Sequence, residues 1–285
     1  MLALGFGLTA ALLWAIHDLL ARKITQGAPL LPIAMMVMGT GCFILLPVAL
    51  IAGNWAVMTG LAWVIAVLSG LAFAVAIGSL YKALSLAPVR LVSPVVGAYP
   101  MLSLAVAVAQ GHPVSGADWL AVLAIVVGIT IVAVSTSEDS PEGYAASPGV
   151  ALVWAALSAV GFALTFALAQ EAARQGSELP VILIGRIVAL GVFLGLIAIF
   201  QSELGTARLQ WQVLALMGAM DAAAISLVTA AGTLFRAEYA SVSSSLFGVL
   251  TVLLAAWLLK ERVRAVQWLG IATVFSGITV LSLQG

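Results

Sequence analysis

Long apolar runs, separated by short polar interruptions, follow one another along the whole chain. In a run such as WLAVLAIVVGITIVAV (119–134), apolar residues occupy every face, without the alternation of a half-buried strand or the polar stripe of a surface helix. About 20 apolar residues let a helix cross the roughly 30 Å hydrocarbon core of a bilayer. Ten such runs can be counted, at residues 2–21, 31–52, 61–83, 89–109, 117–135, 149–169, 179–200, 212–234, 240–259 and 265–283. The pattern predicts an all-α integral membrane protein with ten transmembrane helices.

The composition agrees with a membrane protein and argues against an enzyme. Of the 285 residues, 64% are hydrophobic and 8% are charged, and the net charge of zero leaves no broad basic face for nucleic acid. The single cysteine, Cys42, excludes an internal disulfide and a thiolate metal site. The only histidines, His17 and His112, lie in different regions, and HExxH, GxSxG and P-loop motifs are absent from the sequence. We therefore expect no catalytic residues, no cofactor and no bound metal.

The basic residues indicate how the helices are oriented. With ten spans both termini lie on the same side of the membrane. The connections after odd-numbered spans hold Arg22, Lys23, Lys82, Arg90, Arg208, Lys260, Arg262 and Arg264, against Arg174 and Arg236 after even-numbered spans. The positive-inside rule then places the odd-numbered connections in the cytoplasm and both termini outside. The membrane that we expect is the inner (plasma) membrane of a bacterium.

The second half of the sequence repeats the first. VVGITIVAVS in the fifth span matches FSGITVLSLQ in the tenth, which places Gly128 opposite Gly277 at a separation of 149 residues. The same separation pairs Trp119 with Trp268, so one ungapped offset is expected through both halves. We assign residues 1–135 to a first five-helix repeat, residues 136–147 to a polar linker and residues 148–285 to a second five-helix repeat.

The odd number of spans in each repeat determines how the two copies relate. Two copies of five spans enter the membrane from opposite sides, which makes the repeat inverted in topology. Transporters with inverted repeats bind their solute near the bilayer midplane, where the copies meet, and alternate its exposure between the two sides. The repeat therefore predicts alternating access.

Three stretches of this sequence resemble the EamA domains of the drug/metabolite transporter superfamily. They are LLWAI in the first span, YKALSLAPVRLVSPVVGAYPMLSLAVAV across the third and fourth, and SVSSSLFGVLTVLLAAWLLKERVRAVQWLGIATVFSGITVL across the ninth and tenth. The most specific feature is Glu261 followed by QWLG; the corresponding position of the first half is His112, which departs from the pattern. The resemblance covers nearly the whole chain and implies a secondary transporter of small organic solutes, often an exporter.

Two prolines indicate that the fourth span lies at the centre of the helix bundle. Pro94 and Pro100 each remove a backbone hydrogen bond within the span, and such breaks survive in a membrane where the freed carbonyls face protein or a wet cavity. A kinked helix that lines the solute cavity is therefore predicted here. The residues expected to contact the solute in this region are Tyr81, Ser93, Tyr99 and Ser103.

Three other spans contribute candidate solute-binding residues. Trp14 lies deep in the first span, whereas for Asp18 an intrahelical ion pair with Arg22 is favoured over a solute role. The sixth span carries a polar and aromatic stripe at i, i+4 and i+7 spacing, and the ninth begins with a group of serines. Either group of hydroxyls could serve helix packing or the solute. The candidates are Ser158, Phe162, Thr165 and Ser244.

Gly191 and Gly195 in the seventh span form a GxxxG pair, a spacing typical of close helix packing.

Asp221 is the most central acid, about nine residues into the eighth span. A charged residue there costs roughly 2.5–3.5 kcal/mol even on the insertion scale. It must be neutral, paired or hydrated. The alternatives are a coupling role through its proton or solute contact, an ion pair with Arg186, and a protonated acid with no part in transport.

The sequence thus favours a monomeric secondary transporter, an exporter, that moves an amino acid or other small amphiphilic metabolite and contacts the lipid bilayer, with proton coupling left open. The walls offer aromatic and hydroxyl groups with few fixed charges. An exporter of cationic drugs or quaternary amines, bound by cation–π contacts, is the first alternative. A non-transporting membrane scaffold or lipid-handling protein is the second.

Overall fold

The computed structural model of the protein describes residues 2–99, 101–102, 115–138, 148–205, 210–231, 244 and 246–284. Within these residues ten α-helices occupy the ten predicted spans. They are α1 (Leu2–Ile24), α2 (Leu30–Ala52), α3 (Gly60–Leu86), α4 (Val89–Gly97), α5 (Gly116–Glu138), α6 (Pro148–Arg174), α7 (Glu178–Phe200), α8 (Trp211–Ala231), α9 (Phe247–Leu258) and α10 (Ala265–Gln284). The all-helical, ten-helix prediction is confirmed.

Five helices, α2, α3, α6, α7 and α8, have described stretches long and apolar enough to cross a membrane by length and composition. The predicted fourth and ninth spans, at 89–109 and 240–259, are described for α4 and α9 over a shorter length, and the rest of each lies largely outside the described residues. Large apolar side chains such as Ile51, Trp257 and Phe43 are 75–87% exposed at the periphery. They suit a surface surrounded by lipid rather than water.

For the main contacts between helices, replacing each helix by its counterpart in the other half gives another observed contact. α3 packs along α6, and α8 packs along α1; α3 also contacts α7, and α8 contacts α2. Likewise α4 meets α6 where α9 meets α1. The contacts α2 with α7, α4 with α9 and α5 with α10 each join a helix to its own counterpart. Two five-helix units therefore pack through equivalent surfaces.

The packing of α5 against α10 reproduces the sequence offset of 149 residues. A Cβ atom on Gly128 would lie 2.6 Å from the carbonyl oxygen of Gly270, and one on Gly277 would lie 2.6 Å from that of Ala121. Gly277 follows Gly128 by 149 residues, and Gly270 follows Ala121 by the same number. The two contacts are therefore equivalent contacts of the two repeats. Only glycine fits at Gly128 and Gly277 without moving the neighbouring backbone.

The other helices follow a different offset. A Cβ atom on Gly70 would lie 2.6 Å from the carbonyl oxygen of Gly185, and one on Gly218 would lie 2.5 Å from that of Val37. These two contacts are related by 148 residues, and the buried positions of α1 and α6 also coincide at 148. The prediction of one ungapped offset is therefore wrong. The second repeat is one residue longer than the first between its third and fifth helices.

The N-terminus of α5 and that of α10 are capped in the same way. The backbone N–H of Ser115 donates to the Asp118 carboxylate at 2.8 Å, and the backbone N–H of Arg264 donates to the Gln267 side chain at 2.9 Å. These pairs also lie 149 residues apart. In both, a side chain in the first turn reaches back to a backbone donor that the helix leaves unsatisfied.

The packing role predicted for Gly191 and Gly195 is wrong within the described residues. A Cβ atom on either glycine of α7 would meet nothing within 4 Å. The two glycines face away from the neighbours that α7 has in the described part of the chain. The helix makes its close contact through Gly185 instead, where α3 approaches at Gly70.

Candidate functional site

A cavity of about 940 Å³, including space continuous with the exterior, lies between the two repeats. Seven helices contribute to its walls, α7 among them, which the sequence had not indicated. The lining residues are Trp14, His17, Asp18, Ser69, Phe73, Ile77, Leu80, Val96, Tyr99, Phe162, Thr165, Phe166, Ala169, Val181, Ile182, Gly185, Arg186, Asp221, Ile225 and Phe247.

The lining of the cavity reaches nearer to the helix ends on one side of the bundle than on the other. We call the face on which odd-numbered helices end the odd face, and the opposite one the even face. The lining residues of α6 and α7, such as Ala169 and Val181, lie near the even-face ends of their helices. At the other end of the cavity, Leu80 belongs to the half of α3 nearer the odd face. The cavity therefore extends towards the even face.

On the odd face the two repeats are joined by a carboxylate. The Glu261 side chain, in the connection after α9, accepts the backbone N–H of Val89 at 3.1 Å and that of Arg90 at 3.3 Å. These groups begin α4, whose N-cap is Pro88, without a side-chain cap of its own. A carboxylate is favoured at a helix N-terminus, where backbone donors are unsatisfied and the helix dipole is positive. Glu261 of the second repeat thus caps a helix of the first.

A buried ion pair forms one wall of the cavity. A guanidinium nitrogen of Arg186 donates to one carboxylate oxygen of Asp221, and the indole N–H of Trp14 donates to the other at 3.0 Å. Arg186 is 1% exposed, and its guanidinium carbon lies 5.6 Å from the ring centroid of Phe73. A Cβ on Gly41 would collide with Nη1 of Arg186, so glycine at that position makes room for the guanidinium. The pairing with Arg186 is one of the alternatives that the sequence left open.

A second polar group on α1 extends this wall. His17 Nδ1 lies 3.1 Å from a carboxylate oxygen of Asp18, and His17 Nε2 lies 3.1 Å from the hydroxyl oxygen of Tyr81. If Asp18 is ionised it can only accept, so Nδ1 carries the proton and Nε2 accepts from Tyr81 in the neutral imidazole. All three side chains are buried. The residue expected to pair with Asp18, Arg22, donates to the carbonyl oxygen of Leu84.

Aromatic rings form another part of the cavity wall. The ring centroids of Tyr99 and Phe166 are 5.2 Å apart, those of Phe162 and Phe166 are 6.1 Å apart in a stacked arrangement, and those of Phe73 and Phe162 are 6.3 Å apart. These separations are typical of favourable ring pairs. The cavity thus offers both charged groups and aromatic groups to a solute.

Five of the residues selected from the sequence line this cavity: Trp14, Tyr99, Phe162, Thr165 and Asp221. The Thr165 hydroxyl donates to the carbonyl oxygen of Gly161 at 2.7 Å, one turn earlier in the same helix. Thr165 is nevertheless one of the lining residues. Whether these five residues bind a solute stays a prediction.

Four others lie behind the wall in the structure. Tyr81 supports His17, and Ser158 donates to the carbonyl oxygen of Ala76 at 2.9 Å, where α6 packs on α3. Ser93 is buried in α4, and Ser244 is buried before α9. None of the four is among the lining residues. The last selected residue, Ser103, and the departing position His112 lie outside the described residues.

Sequence reasoning missed several of the lining residues. It gave Asp18 to an ion pair and did not select His17, although both line the cavity. It also passed over Phe73, Phe166 and Phe247. A usable signal existed for Phe166, which lies four residues after Phe162 on the same face of α6. The other rings come from helices that are apolar all round, where spacing alone does not identify the inner face.

Comparison with known proteins identifies a family and solved structures of similar fold. The model of the EamA-like transporter family matches residues 1–134 and again residues 149–283. A solved structure named "Crystal structure of protein" is similar to this chain at 20% identity and a TM-score of 0.64, over 99% of this chain and 96% of that one. At that identity it supports the fold alone. A comparison with curated proteins finds no match.

Proposed function

Since the chain belongs to the EamA-like transporter family and is therefore an integral membrane transporter of small solutes, we propose that it exports small amphiphilic metabolites, such as amino acids, by alternating access. The observation that carries the proposal is the cavity between the repeats, whose lining contains both charged groups and aromatic rings. A solute with a polar head and an apolar body matches both kinds of group.

An inverted relation between the repeats supports the alternating-access part of the proposal. The helix contacts exchange in pairs when the halves are exchanged, and each half has five helices, an odd number. The present structure, with its cavity extending towards the even face, then has a counterpart with a cavity that extends towards the odd face. In that counterpart each repeat adopts the arrangement that the other repeat has here. In the present structure the odd-face end is the one where Glu261 joins the repeats.

A polar contact and an aromatic contact of the cavity lie at equivalent positions of the two repeats. At the offset of 148 residues, Trp14 corresponds to Phe162, and Asp221 corresponds to Phe73. The hydrogen bond from Trp14 to Asp221 in one copy therefore corresponds to the ring contact between Phe162 and Phe73 in the other. One of these two equivalent contacts supplies a polar group and the other supplies apolar rings, as expected for a site that holds an amphiphilic solute in one orientation.

Export of cationic amines is a second candidate that one observation favours. The carboxylates of Asp18 and Asp221 both line the cavity, against one arginine, and aromatic rings bind cations through their faces. A direct test of both candidates is thermal stabilisation of the purified protein by a panel of amino acids and aromatic amines, followed by counterflow in proteoliposomes. Stabilisation and counterflow by members of the panel support transport. A protein that binds and moves none of them contradicts it and favours a scaffold.

A further inference from the structure

The connection between α9 and α10 presents three basic side chains to the outside. Lys260, Arg262 and Arg264 are exposed, whereas Glu261 and Val263 between them are half-buried. Such alternation is typical of an extended chain, in which residues two positions apart project to the same side. The connection therefore carries its cations on one side and its anchoring residues on the other.

The two inward residues hold the connection against the protein. Val263 packs against the main buried cluster, and both oxygens of the Glu261 carboxylate accept backbone N–H groups of α4. The acid that stands among the three cations is thus directed towards α4. Within the described part of the chain, neither Lys260 nor Arg262 has an ion pair. Their charges are therefore available to an anion from outside.

Apolar side chains flank the cations along the chain. Leu258 lies two residues before Lys260, and Val266 and Leu269 follow Arg264 in the first two turns of α10. All three apolar side chains are more than half exposed. In an integral membrane protein such side chains contact lipid. The cations therefore lie where the hydrocarbon ends and the headgroups begin.

The other helix ends on the odd face lack such a cluster in their described parts. α1 ends with a single exposed cation, Lys23, because Arg22 is buried. Near the end of α3, Lys82 is half-buried and Arg90 is buried. In the described part of the connection after α7, the exposed charged residue is an acid, Glu203. Among the described ends, the one after α9 is therefore the best suited to an anion.

The corresponding residues of the first repeat carry no cations. At the offset of 149 residues, the three basic residues correspond to Gly111, Pro113 and Ser115. A sequence of the same length therefore joins the fourth span to the fifth without them. This counterpart follows an even-numbered span and so belongs to the even face. The cations are an addition to one face of the protein, beyond what the connection itself requires.

We propose that Lys260, Arg262 and Arg264 bind the headgroup of an anionic phospholipid, whose chains lie against the exposed apolar side chains of α9 and α10. The phosphate oxygens accept hydrogen bonds from lysine and arginine, and these bonds are strengthened by the opposite charges. Each basic residue near an anionic membrane surface strengthens binding by about fivefold. A zwitterionic headgroup carries a cation of its own and gains less. This site lies at the periphery and does not depend on the solute.

Membrane topology alone is the competing explanation for these cations. Basic residues beside a span set its orientation during insertion. A signal used only at that stage would leave the folded protein without a preference among lipid headgroups. The lipid preference of the folded protein therefore distinguishes the two explanations.

Native mass spectrometry of the full-length protein in detergent measures how tightly added lipids bind. The two probes are palmitoyl-oleoyl phosphatidylglycerol, which is anionic, and palmitoyl-oleoyl phosphatidylcholine, which is zwitterionic and has the same chains. We expect phosphatidylglycerol to bind at least about tenfold more tightly. Higher ionic strength should reduce this difference, because salt screens exposed charges.

Substitutions in the connection locate the headgroup. Lys260→Gln combined with Arg262→Gln should weaken phosphatidylglycerol binding by at least about tenfold and leave phosphatidylcholine binding unchanged. Lys260→Arg combined with Arg262→Lys keeps both charges and should keep the preference. Arg174→Gln removes an exposed cation of the even face and is the matched control, with binding like that of the parent. Should the double glutamine variant fail to fold, each single glutamine variant should lose about fivefold.

Three outcomes would overturn the inference. Equal affinities of the parent protein for the two lipids would reduce the cations to a topology signal. Glutamine variants with an undiminished preference for phosphatidylglycerol would place the lipid elsewhere. Displacement of the lipid by an equal concentration of sn-glycerol 3-phosphate, which has the phosphate but no chains, would assign the cations to a soluble anion instead.

Discussion

The carboxylate of Glu261 receives the backbone N–H of Val89, so the connection after α9 caps a helix that lies 172 residues earlier in the chain. The backbone conformation at Lys260 prepares this contact. Lys260 has a φ of 54°, in the left-handed region, and the N–H of Glu261 bonds to the carbonyl of Ala255 at 3.3 Å. This turn ends α9 and carries Glu261 towards α4.

Removal of this cap should lower stability. Glu261→Ala leaves two backbone donors of α4 without their carboxylate, and we expect a loss of about 1–2 kcal/mol. Glu261→Gln keeps an acceptor oxygen and should lose less. The measurement is the unfolding midpoint of the detergent-solubilised protein. Glu178→Gln is the matched control, because Glu178 is an exposed acid in the first turn of α7. Equal midpoints for Glu261→Ala and the parent would show that the cap contributes nothing.

The ion pair between Arg186 and Asp221 should behave as a unit. Asp221→Asn leaves a buried cation without its counter-charge, and loss of one partner of a buried pair typically costs about 3–5 kcal/mol. At the offset of 148 residues, Met38 stands where the second repeat has Arg186. Arg186→Met combined with Asp221→Asn should therefore recover part of the folded yield lost in Asp221→Asn. The readout is monodisperse protein in size-exclusion chromatography, and a double variant that is worse than the single one would contradict the prediction.

Glycine contacts offer a test of the equivalence between repeats. Gly128→Ala and Gly277→Ala each place a methyl group 2.6 Å from a backbone oxygen of the opposite helix, and overpacking of this kind typically costs about 1–3 kcal/mol. The two losses should be similar. Gly191→Ala, which meets nothing described within 4 Å, is the control and should be neutral or slightly stabilising. Thermal unfolding of the three variants decides, and a strong asymmetry between the first two would argue against equivalent contacts.

Two cavity residues should matter for transport more than for folding. Trp14→Ala removes a ring and the hydrogen bond to Asp221, and Tyr99→Ala removes the ring that pairs with Phe166. We expect at least a tenfold loss in solute affinity from either, corresponding to about 1.4 kcal/mol. Trp257→Ala, at a position 75% exposed on the periphery, is the matched control. Counterflow in proteoliposomes gives the measurement, and normal activity in both cavity variants would place the solute elsewhere.

Much of the fold could be predicted because bilayer thickness fixes the length of an apolar run. The helix count and most helix bounds follow from this, and the ion pair of Arg186 was among the alternatives, since both residues lie well inside neighbouring helices. The one-residue change of offset could not be predicted, because α1 and α6 share few residue types and their sequences do not fix the alignment. The positions that are buried in the two helices reveal it.

The site was harder to predict than the fold because its hydroxyls have two plausible uses. Ser158 and Thr165 lie on one stripe of α6, yet the first serves α3 and the second lines the cavity. The contact between His17 and Tyr81 joins residues 64 positions apart, which no local spacing reveals. Neighbouring residues of a helix rarely face each other, so the contact of His17 with Asp18 was also not expected.

The extra residue of the second repeat makes the two copies unequal in their energies as well as their lengths. Two identical copies would give degenerate inward- and outward-facing states, each populated half of the time. Here one copy has Asp221 where the other has Phe73, and the sequence has His112 opposite Glu261, so the degeneracy is lifted. A difference of about 1.4 kcal/mol already makes one state ten times more populated than the other. Under the alternating access that we propose, the protein should therefore have a preferred resting side, fixed by its own sequence before any solute or gradient acts on it.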